Sequence, residues 1–315
     1  MGFLINESTI ETSSKNVISI DNFSRRYLEE LFCEADKMKF LPRKEKQRIL
    51  ENKTIACLFF EPSTRTKLSF ETAIKNLGGQ TIGFSSADES STKKGESLQD
   101  TIRVVSSYAD GIIMRHYDDF AARNATLFTN KTIINAGDGK NEHPTQTFLD
   151  LYTIQEQLGK IDGLTIGIIG DLKYGRTTHS LVKGLNKFEN IKVYLIAPNE
   201  LQFPEKIIKE TKNISFLKTD SVKKVLPELD VLYVTRIQKE RFEDEKEYEK
   251  LKDSFIINKK ILEQTKDHLK IMHPLPRVNE IAIDVDQTKN AIYFKQAENG
   301  LYIREALLKI LFNPR

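Results

Sequence analysis

Four residues, Ser63-Thr64-Arg65-Thr66, stand where an apolar run at 54–60 gives way, across Pro62, to a helical pattern. Three hydroxyls and a planar guanidinium at a helix start suit an anion. The first N–H groups of a helix lack intrahelical partners, and the macrodipole places partial positive charge there. A phosphate could be enclosed without a glycine-rich loop. The same Ser and Thr would serve equally as an ordinary N-cap, so this segment alone leaves both readings open. Further chemistry-bearing residues punctuate the chain. Arg115 ends an apolar run at 111–116, and His143-Pro144-Thr145-Gln146 opens a long amphipathic segment. Pro144 suits the first helical position, which puts His143 at the cap and Gln146 in the first turn. His143 reads either as a capping or core histidine or as a donor working near pH 7.

The elements that must hold these residues alternate. Helical spacing at Leu28, Leu31, Phe32, Ala35 and Met38 follows Ser24, and Phe70, Ala73, Ile74 and Leu77 repeat it before Gly78-Gly79. Strands are expected at 54–60, 81–84, 111–116 and 132–135, with helices between them, one starting near 118–121. Residues 85–97 carry no apolar period and read as a mobile loop. The second half opens with an apolar run at 164–169, and further strands are expected at 191–197, 214–217, 230–235, 254–258, 270–273 and 291–294. The last helix places Ile303, Ala306, Leu307, Ile310 and Leu311 on one face. This alternation predicts an α/β chain with two doubly wound parallel-sheet domains of Rossmann-like topology and an active site in the crevice between them. Residues 1–144 with a C-terminal helix at 299–315 would form one domain, and 145–298 the other.

Two motifs that would imply a nucleotide fail. Gly170 and Gly175-Arg176-Thr177 have the spacing of a phosphate loop, but Arg replaces its lysine and Lys173 and Tyr174 put bulk where backbone should wrap phosphate. The three-glycine dinucleotide fingerprint is absent. Instead the run ends deliver Arg176, Arg236 and Gln238, with Leu275 and Pro276 beyond another. The charged run 239–252 reads as solvated loop and helix.

Composition narrows the class. A length of 315 residues suggests two domains, and 39% hydrophobic with 30% charged residues describes a globular protein. A net charge of +3, dispersed along the chain, does not argue for nucleic acid. No run reaches the ~20 apolar residues a bilayer needs and the N-terminus lacks signal character, so no membrane and a cytoplasmic location are expected. The two cysteines, Cys33 and Cys57, and the five histidines show no metal-ligand spacing, so no cofactor and no metal is expected. The summed site is cationic, with Arg65, Arg115, Arg176, Arg236 and Lys94, and has no nucleophilic cysteine or carboxylate pair. It suits a multiply anionic ligand and chemistry by orientation and charge stabilisation.

The segments Ser63-Thr64-Arg65-Thr66, Met114-Arg115-His116, His143-Pro144-Thr145-Gln146, Gly170-Asp171-Leu172-Lys173-Tyr174-Gly175-Arg176 and His273-Pro274-Leu275-Pro276-Arg277 occur in this order. Together they resemble the catalytic chains of the aspartate carbamoyltransferase family, within the aspartate/ornithine carbamoyltransferase superfamily, over nearly the whole sequence. The resemblance implies transfer of the carbamoyl group of carbamoyl phosphate to L-aspartate, giving N-carbamoyl-L-aspartate and phosphate in pyrimidine (UMP) biosynthesis. It implies catalytic roles for Arg65, Thr66, Arg115 and His143. It implies substrate binding by Ser63, Thr64, Ser90, Lys94, Gln146, Arg176, Arg236, Gln238, Leu275 and Pro276. A homotrimer with sites shared between subunits is also implied, Ser90 and Lys94 reaching the neighbour's site, which overturns a merely mobile reading of that loop. Residues 236–242 and the acidic run after them look most like chains that assemble with separate zinc-containing regulatory chains, and so with allosteric control. The alternatives are an ornithine carbamoyltransferase, in which His-Cys-Leu-Pro would replace the present His273-Pro274-Leu275-Pro276, and a non-catalytic structural paralogue, which would show gaps among these residues.

Overall fold

The computed structural model describes residues 15–237 and 255–313. The chain forms two compact units, Met1–Phe148 with Asn299–Arg315, and Leu149–Glu298.

The first unit holds a four-stranded sheet of β1 (Thr54–Phe59), β2 (Gln80–Phe84), β3 (Gly111–His116) and β4 (Thr132–Asp138), in the order β2-β1-β3-β4. All pairings are parallel. Parallel strands need crossovers, and the helices that supply them bury the sheet from both faces. The inner strands are accordingly near-continuous apolar runs, and β4 is buried at every residue. The edge strand β2 is mostly exposed or half-buried.

Helices α1 (Arg25–Phe40), α2 (Arg43–Lys46), α3 (Thr64–Asn76), α4 (Leu98–Ser106) and α5 (Ala121–Ala125) surround this sheet, followed by α6 (Pro144–Leu158). Ser24 caps α1 by accepting from Tyr27 N, and Ser97 caps α4 by accepting from Asp100 N, 3.1 Å in each case. The apolar face of α1 is the expected one, Leu28, Leu31, Phe32, Ala35 and Met38 all being buried. Glu305, fully buried, accepts from Lys46 Nζ and Asn76 Nδ2, both at 2.7 Å, and so ties the chain's last helix to this unit.

The second unit holds β5 (Thr165–Ile169), β6 (Ile191–Ile196), β7 (Ile214–Thr219), β8 (Val231–Val234) and β9 (Lys270–Met272), in the order β7-β6-β5-β8-β9 and again all parallel. Its helices include α7 (Arg176–Leu185), α8 (Glu205–Glu210) and α9 (Val222–Val225). The final helix, α10, runs Tyr293–Phe312.

The amino ends of both sheets carry the same clasp. Asp110, just before β3, accepts from Thr54 N at 2.9 Å while its own N–H donates to Thr54 O at 2.7 Å. Asp230, just before β8, does the same with Thr165, at 2.8 Å for both bonds. Burial pushes both carboxyls up, but the Thr N–H and the neighbouring lysine outweigh it and leave each below the usual aspartate range.

Three elements differ from the sequence reading. Residues 255–258 form no strand; Ile257 makes one bridge to Ile281, and Phe255 and Ile257 instead pack onto the second unit's core. Of 291–294, Ala291 bridges to Ile271 and the chain then turns into α10 at Tyr293, where tertiary packing overrides the strand preference of Ile292, Tyr293 and Phe294. The polar segment 85–97 contains two 3-10 turns, Ala87–Glu89 and Ser91–Lys94, tied by Ser90 Oγ to Ala87 O at 2.8 Å and Ser85 N to Glu89 Oε2 at 2.8 Å.

Candidate active site

In parallel α/β sheets, ligands bind beyond the carboxyl ends of the strands. In the first unit β1 and β3 are paired in register, with Phe59 opposite Arg115. Phe60 N donates to Arg115 O at 2.8 Å, so the chain leaving β1 is held against the end of β3 before it enters α3. Ser63 is the N-cap of α3, in extended conformation, and its side chain makes no capping hydrogen bond. Thr64 and Arg65 are exposed in the first turn, and Thr66 is buried there. A cation at the positive end of a helix is electrostatically unfavourable unless an anion joins it. Arg65 is placed in that way.

Arg115 is half-buried, forms an ion pair with Glu61 and directs Nη1 toward Ala136 O at 3.4 Å. Nothing in the residue type of Glu61 marks this pairing in the sequence. Its only signal is its place two residues before Ser63. Phe60 packs edge-on against Phe84 and against the ring of His116, giving the turn an aromatic floor. His116 Nδ1 accepts from Asp118 N at 2.9 Å, and burial holds its imidazole below the ordinary histidine value. Cys57, within β1, has its thiol pushed up to about 12 by burial, which suits a packing residue and not a nucleophile.

After β4 the backbone is knotted by side-chain hydrogen bonds. Asn135 Nδ2 donates to Asp138 Oδ1 at 2.9 Å, Gly137 N to Asn135 Oδ1 at 2.8 Å, and Glu142 N to Asp138 Oδ1 at 3.2 Å. Burial, partly offset by these bonds, raises the Asp138 carboxyl above its usual range. Glu142, buried, accepts from Ser19 Oγ at 2.8 Å and Ile20 N at 2.9 Å. This rigid turn delivers His143 to the start of α6. Its carbonyl accepts from Gln146 N at 3.0 Å, and its Nδ1 lies 3.4 Å from Thr145 Oγ1. Both His143 and Gln146 are buried.

In the second unit, β5 is followed by Gly170, whose φ of +121° and close approach to Thr235 O demand glycine; a Cβ there would meet that oxygen at 2.1 Å. Residues 171–175 then lead into α7, capped by Gly175 with no side-chain bond. Arg176 is the first residue of α7 and is buried, so a second guanidinium stands at a helix N-terminus. Underneath, His179 Nε2 donates to Leu172 O at 2.8 Å, and burial holds this imidazole below the ordinary histidine value. Arg236 lies two residues past β8, after Thr235, which bonds Ile169 O through both its N–H (2.8 Å) and its hydroxyl (3.1 Å). Gln238 lies outside the described residues. Leu275 is half-buried and Pro276 exposed in the turn after β9. Ser90 is the extended residue between the two 3-10 turns of the first unit, and Lys94 ends the second of them.

Within the first unit, then, Ser63, Thr64, Arg65, Thr66, Arg115, His143 and Gln146 all stand at carboxyl-end turns of one sheet; within the second, Arg176, Arg236, Leu275 and Pro276 do. Each half presents cations and hydrogen-bond donors to anions, which fits transfer between two anionic substrates. Among the described residues no group of three or more His, Cys, Asp or Glu could hold a metal ion, and no helix is long and apolar enough to cross a membrane.

Comparison with known proteins agrees with this class. Residues 15–156 match the family described as aspartate/ornithine carbamoyltransferase, carbamoyl-P binding domain, and residues 162–311 match the aspartate/ornithine carbamoyltransferase, Asp/Orn binding domain. The chain belongs to the aspartate/ornithine carbamoyltransferase family. Within it, the chain is 50% identical over 305 residues to the aspartate carbamoyltransferase catalytic subunit of Photobacterium profundum, covering 96% of this chain and 97% of that one. It is similar to the crystal structure of the catalytic subunit of M. jannaschii aspartate transcarbamoylase, with a TM-score of 0.87 and 50% identity over 96% of this chain and 99% of that one. It also resembles the aspartate transcarbamoylase of Trypanosoma cruzi solved with carbamoyl phosphate and aspartate, with a TM-score of 0.84 and 36% identity over 95% of this chain and 96% of that one.

Proposed function

We infer that this chain is an aspartate carbamoyltransferase catalytic chain, which moves the carbamoyl group of carbamoyl phosphate onto the amine of L-aspartate and releases phosphate. The observation that carries the reading is the register of β1 on β3, which sets Arg115 beside the Ser63–Thr66 helix start. In this reading residues 1–144 with 299–315 bind carbamoyl phosphate and residues 145–298 bind aspartate.

The phosphate is held by Ser63, Thr64, Arg65 and Thr66 with the N-terminus of α3, and Arg115 exchanges its Glu61 partner for the substrate. Gln146 lies by the carbamoyl group. Arg176, Arg236 and Gln238 take the two aspartate carboxylates, and the carbonyls of Leu275 and Pro276 accept from the carbamoyl NH2 or the substrate amine. The neutral amine attacks the carbamoyl carbon, and the former carbonyl oxygen gains negative charge. Thr66, Arg115 and His143 donate to it, each worth roughly 3 kcal/mol in an arrangement of this kind. The C–O bond to phosphate then breaks, with Arg65 and the helix terminus stabilising the leaving group. The phosphate takes the amine proton, since no carboxylate base stands among the assigned residues.

The assembly belongs to the same reading: a cytoplasmic homotrimer in which Ser90 and Lys94 complete a neighbour's site, working in pyrimidine biosynthesis and associating with separate zinc-containing regulatory chains that make it allosteric. The test is phosphate release from carbamoyl phosphate with aspartate or ornithine as acceptor in parallel. Release with aspartate, with carbamoyl-aspartate formed, is expected. Release with ornithine alone would overturn the assignment of Arg176 and Arg236, and release with neither would overturn the activity.

A further inference from the structure

His273 closes β9 and is almost fully buried, with both ring nitrogens engaged. Its Nδ1 accepts from Leu275 N at 2.8 Å, so that nitrogen carries no proton. Its Nε2 therefore holds the hydrogen and donates it to Glu280 Oε1 at 2.7 Å. The other oxygen of Glu280 accepts from Val278 N at 3.0 Å and Asn279 N at 3.1 Å. Burial pushes the Glu280 carboxyl up, but the His273 bond and the backbone donors outweigh it and leave it below the usual range. From the other side, His273 N donates to Gln296 Oε1 at 2.8 Å, Gln296 Nε2 to Asp150 Oδ1 at 2.6 Å, and Tyr233 OH to Asp150 Oδ2 at 2.8 Å. Buried polar bonds thus run from α6, β8 and α10 to the backbone N–H of His273, and from its imidazole to the backbone of residues 275–279.

We propose that His273, oriented by Glu280, is a positioning residue that fixes the Leu275 and Pro276 carbonyls as acceptors for the carbamoyl NH2. The turn needs such a clamp. Leu275 adopts φ +55°, a conformation that non-glycine residues avoid without local support, and Pro276 offers no N–H of its own to anchor it. The inference rests on the proposed activity, because before aspartate binds the carbamoyl group is what gives those carbonyls a donor to hold. An acetyl group, with a methyl in place of the NH2, gives none.

The test compares binding of carbamoyl phosphate, acetyl phosphate and inorganic phosphate to the full chain by calorimetry. His273→Asn keeps an acceptor for the N–H two residues on, as Asx turns do, and loses the link to Glu280. His273→Gln keeps a donor for Glu280 and loses the acceptor for Leu275 N. In the unaltered protein carbamoyl phosphate should bind more tightly than acetyl phosphate. In His273→Gln that preference should fall by roughly tenfold, the size of one hydrogen bond to a fixed acceptor. In His273→Asn it should hold to within about twofold, and inorganic phosphate should bind all three alike. An unchanged preference in His273→Gln overturns the proposal, as does an equal loss for inorganic phosphate, which would mark general damage. Failure of the activity itself reads differently, as an unaltered protein that binds carbamoyl phosphate no better than phosphate and releases none with aspartate.

Discussion

His143 sits where a strand-end turn, stiffened by Asn135, Asp138 and Glu142, passes into the first turn of α6. Because that turn is held by its own side chains, truncating the imidazole should leave the phosphate-binding residues undisturbed. His143→Ala is expected to lower kcat by about 100-fold, the loss of one oxyanion donor, while the dissociation constant of carbamoyl phosphate changes by less than about threefold. Steady-state kinetics beside equilibrium binding checks both halves. His179 carries a prediction about pH. Its pKa lies below the ordinary histidine value, chiefly through burial, with Lys183 acting in the same direction. The unfolded chain therefore takes up a proton near pH 6.5 that the folded chain does not. The stability it contributes is whole above that pH and is lost as pH falls toward the folded value, by at most ~1.4 kcal/mol per pH unit. His179→Gln keeps a donor to Leu172 O without a titrating group, so urea melts between pH 7 and 5.5 should show a shallower loss than the unaltered chain. His116, lowered by burial in the same sense, keeps the remainder of the slope.

The two Asp–Thr clasps are features of the elements and not of the site, since they lock strand starts while the assigned residues gather at strand ends. Asp230 is nearly buried and also accepts from Lys266 Nζ at 2.7 Å and His268 Nε2 at 2.8 Å. Removing its carboxylate leaves the Thr165 N–H without its acceptor. Asp230→Ala should cost about 2 kcal/mol, and Asp110→Ala less, because Asp110 is more exposed. Chemical denaturation reads the loss, and kcat at a temperature where both variants are folded should stay within about twofold. The sequence made much of this scaffold legible because buried parallel strands are written as apolar runs: β1, β3, β5 and β6 fall where Ile, Val and Leu cluster. It misled at 255–257 and 291–294, where equally apolar residues serve the core from loop and helix, a choice made by neighbours distant in sequence. The site divides likewise. Arg65, Arg115, His143 and Arg176 announce themselves at run ends and helix starts, whereas the bonds of Glu61, Glu280 and His273 exist only through partners that folding brings to them.

For the molecule as a whole, the proposed sharing of sites predicts complementation. A Lys94→Ala chain and an Arg65→Ala chain, each nearly inactive alone, should regain activity when dissociated and reassembled together, because some sites then draw Lys94 from one subunit and Arg65 from the other. A third of the sites at most are rescued in a trimeric hybrid; no recovery in hybrids purified through an affinity tag carried by only one of the two chains and verified as mixed would count against sharing. The clasps have one more consequence at this scale. The run β6-β5-β8-β9 retraces β2-β1-β3-β4, with Asp230 on Thr165 standing as Asp110 stands on Thr54, so the chain uses one architectural block twice, with β7 added at an edge. In each block the clasp and the residues assigned to chemistry occupy opposite ends of the sheet. Substitutions toward a different acceptor can therefore accumulate at one end without drawing on the stability secured at the other, which is a structural basis for one scaffold diverging to serve more than one amino acid.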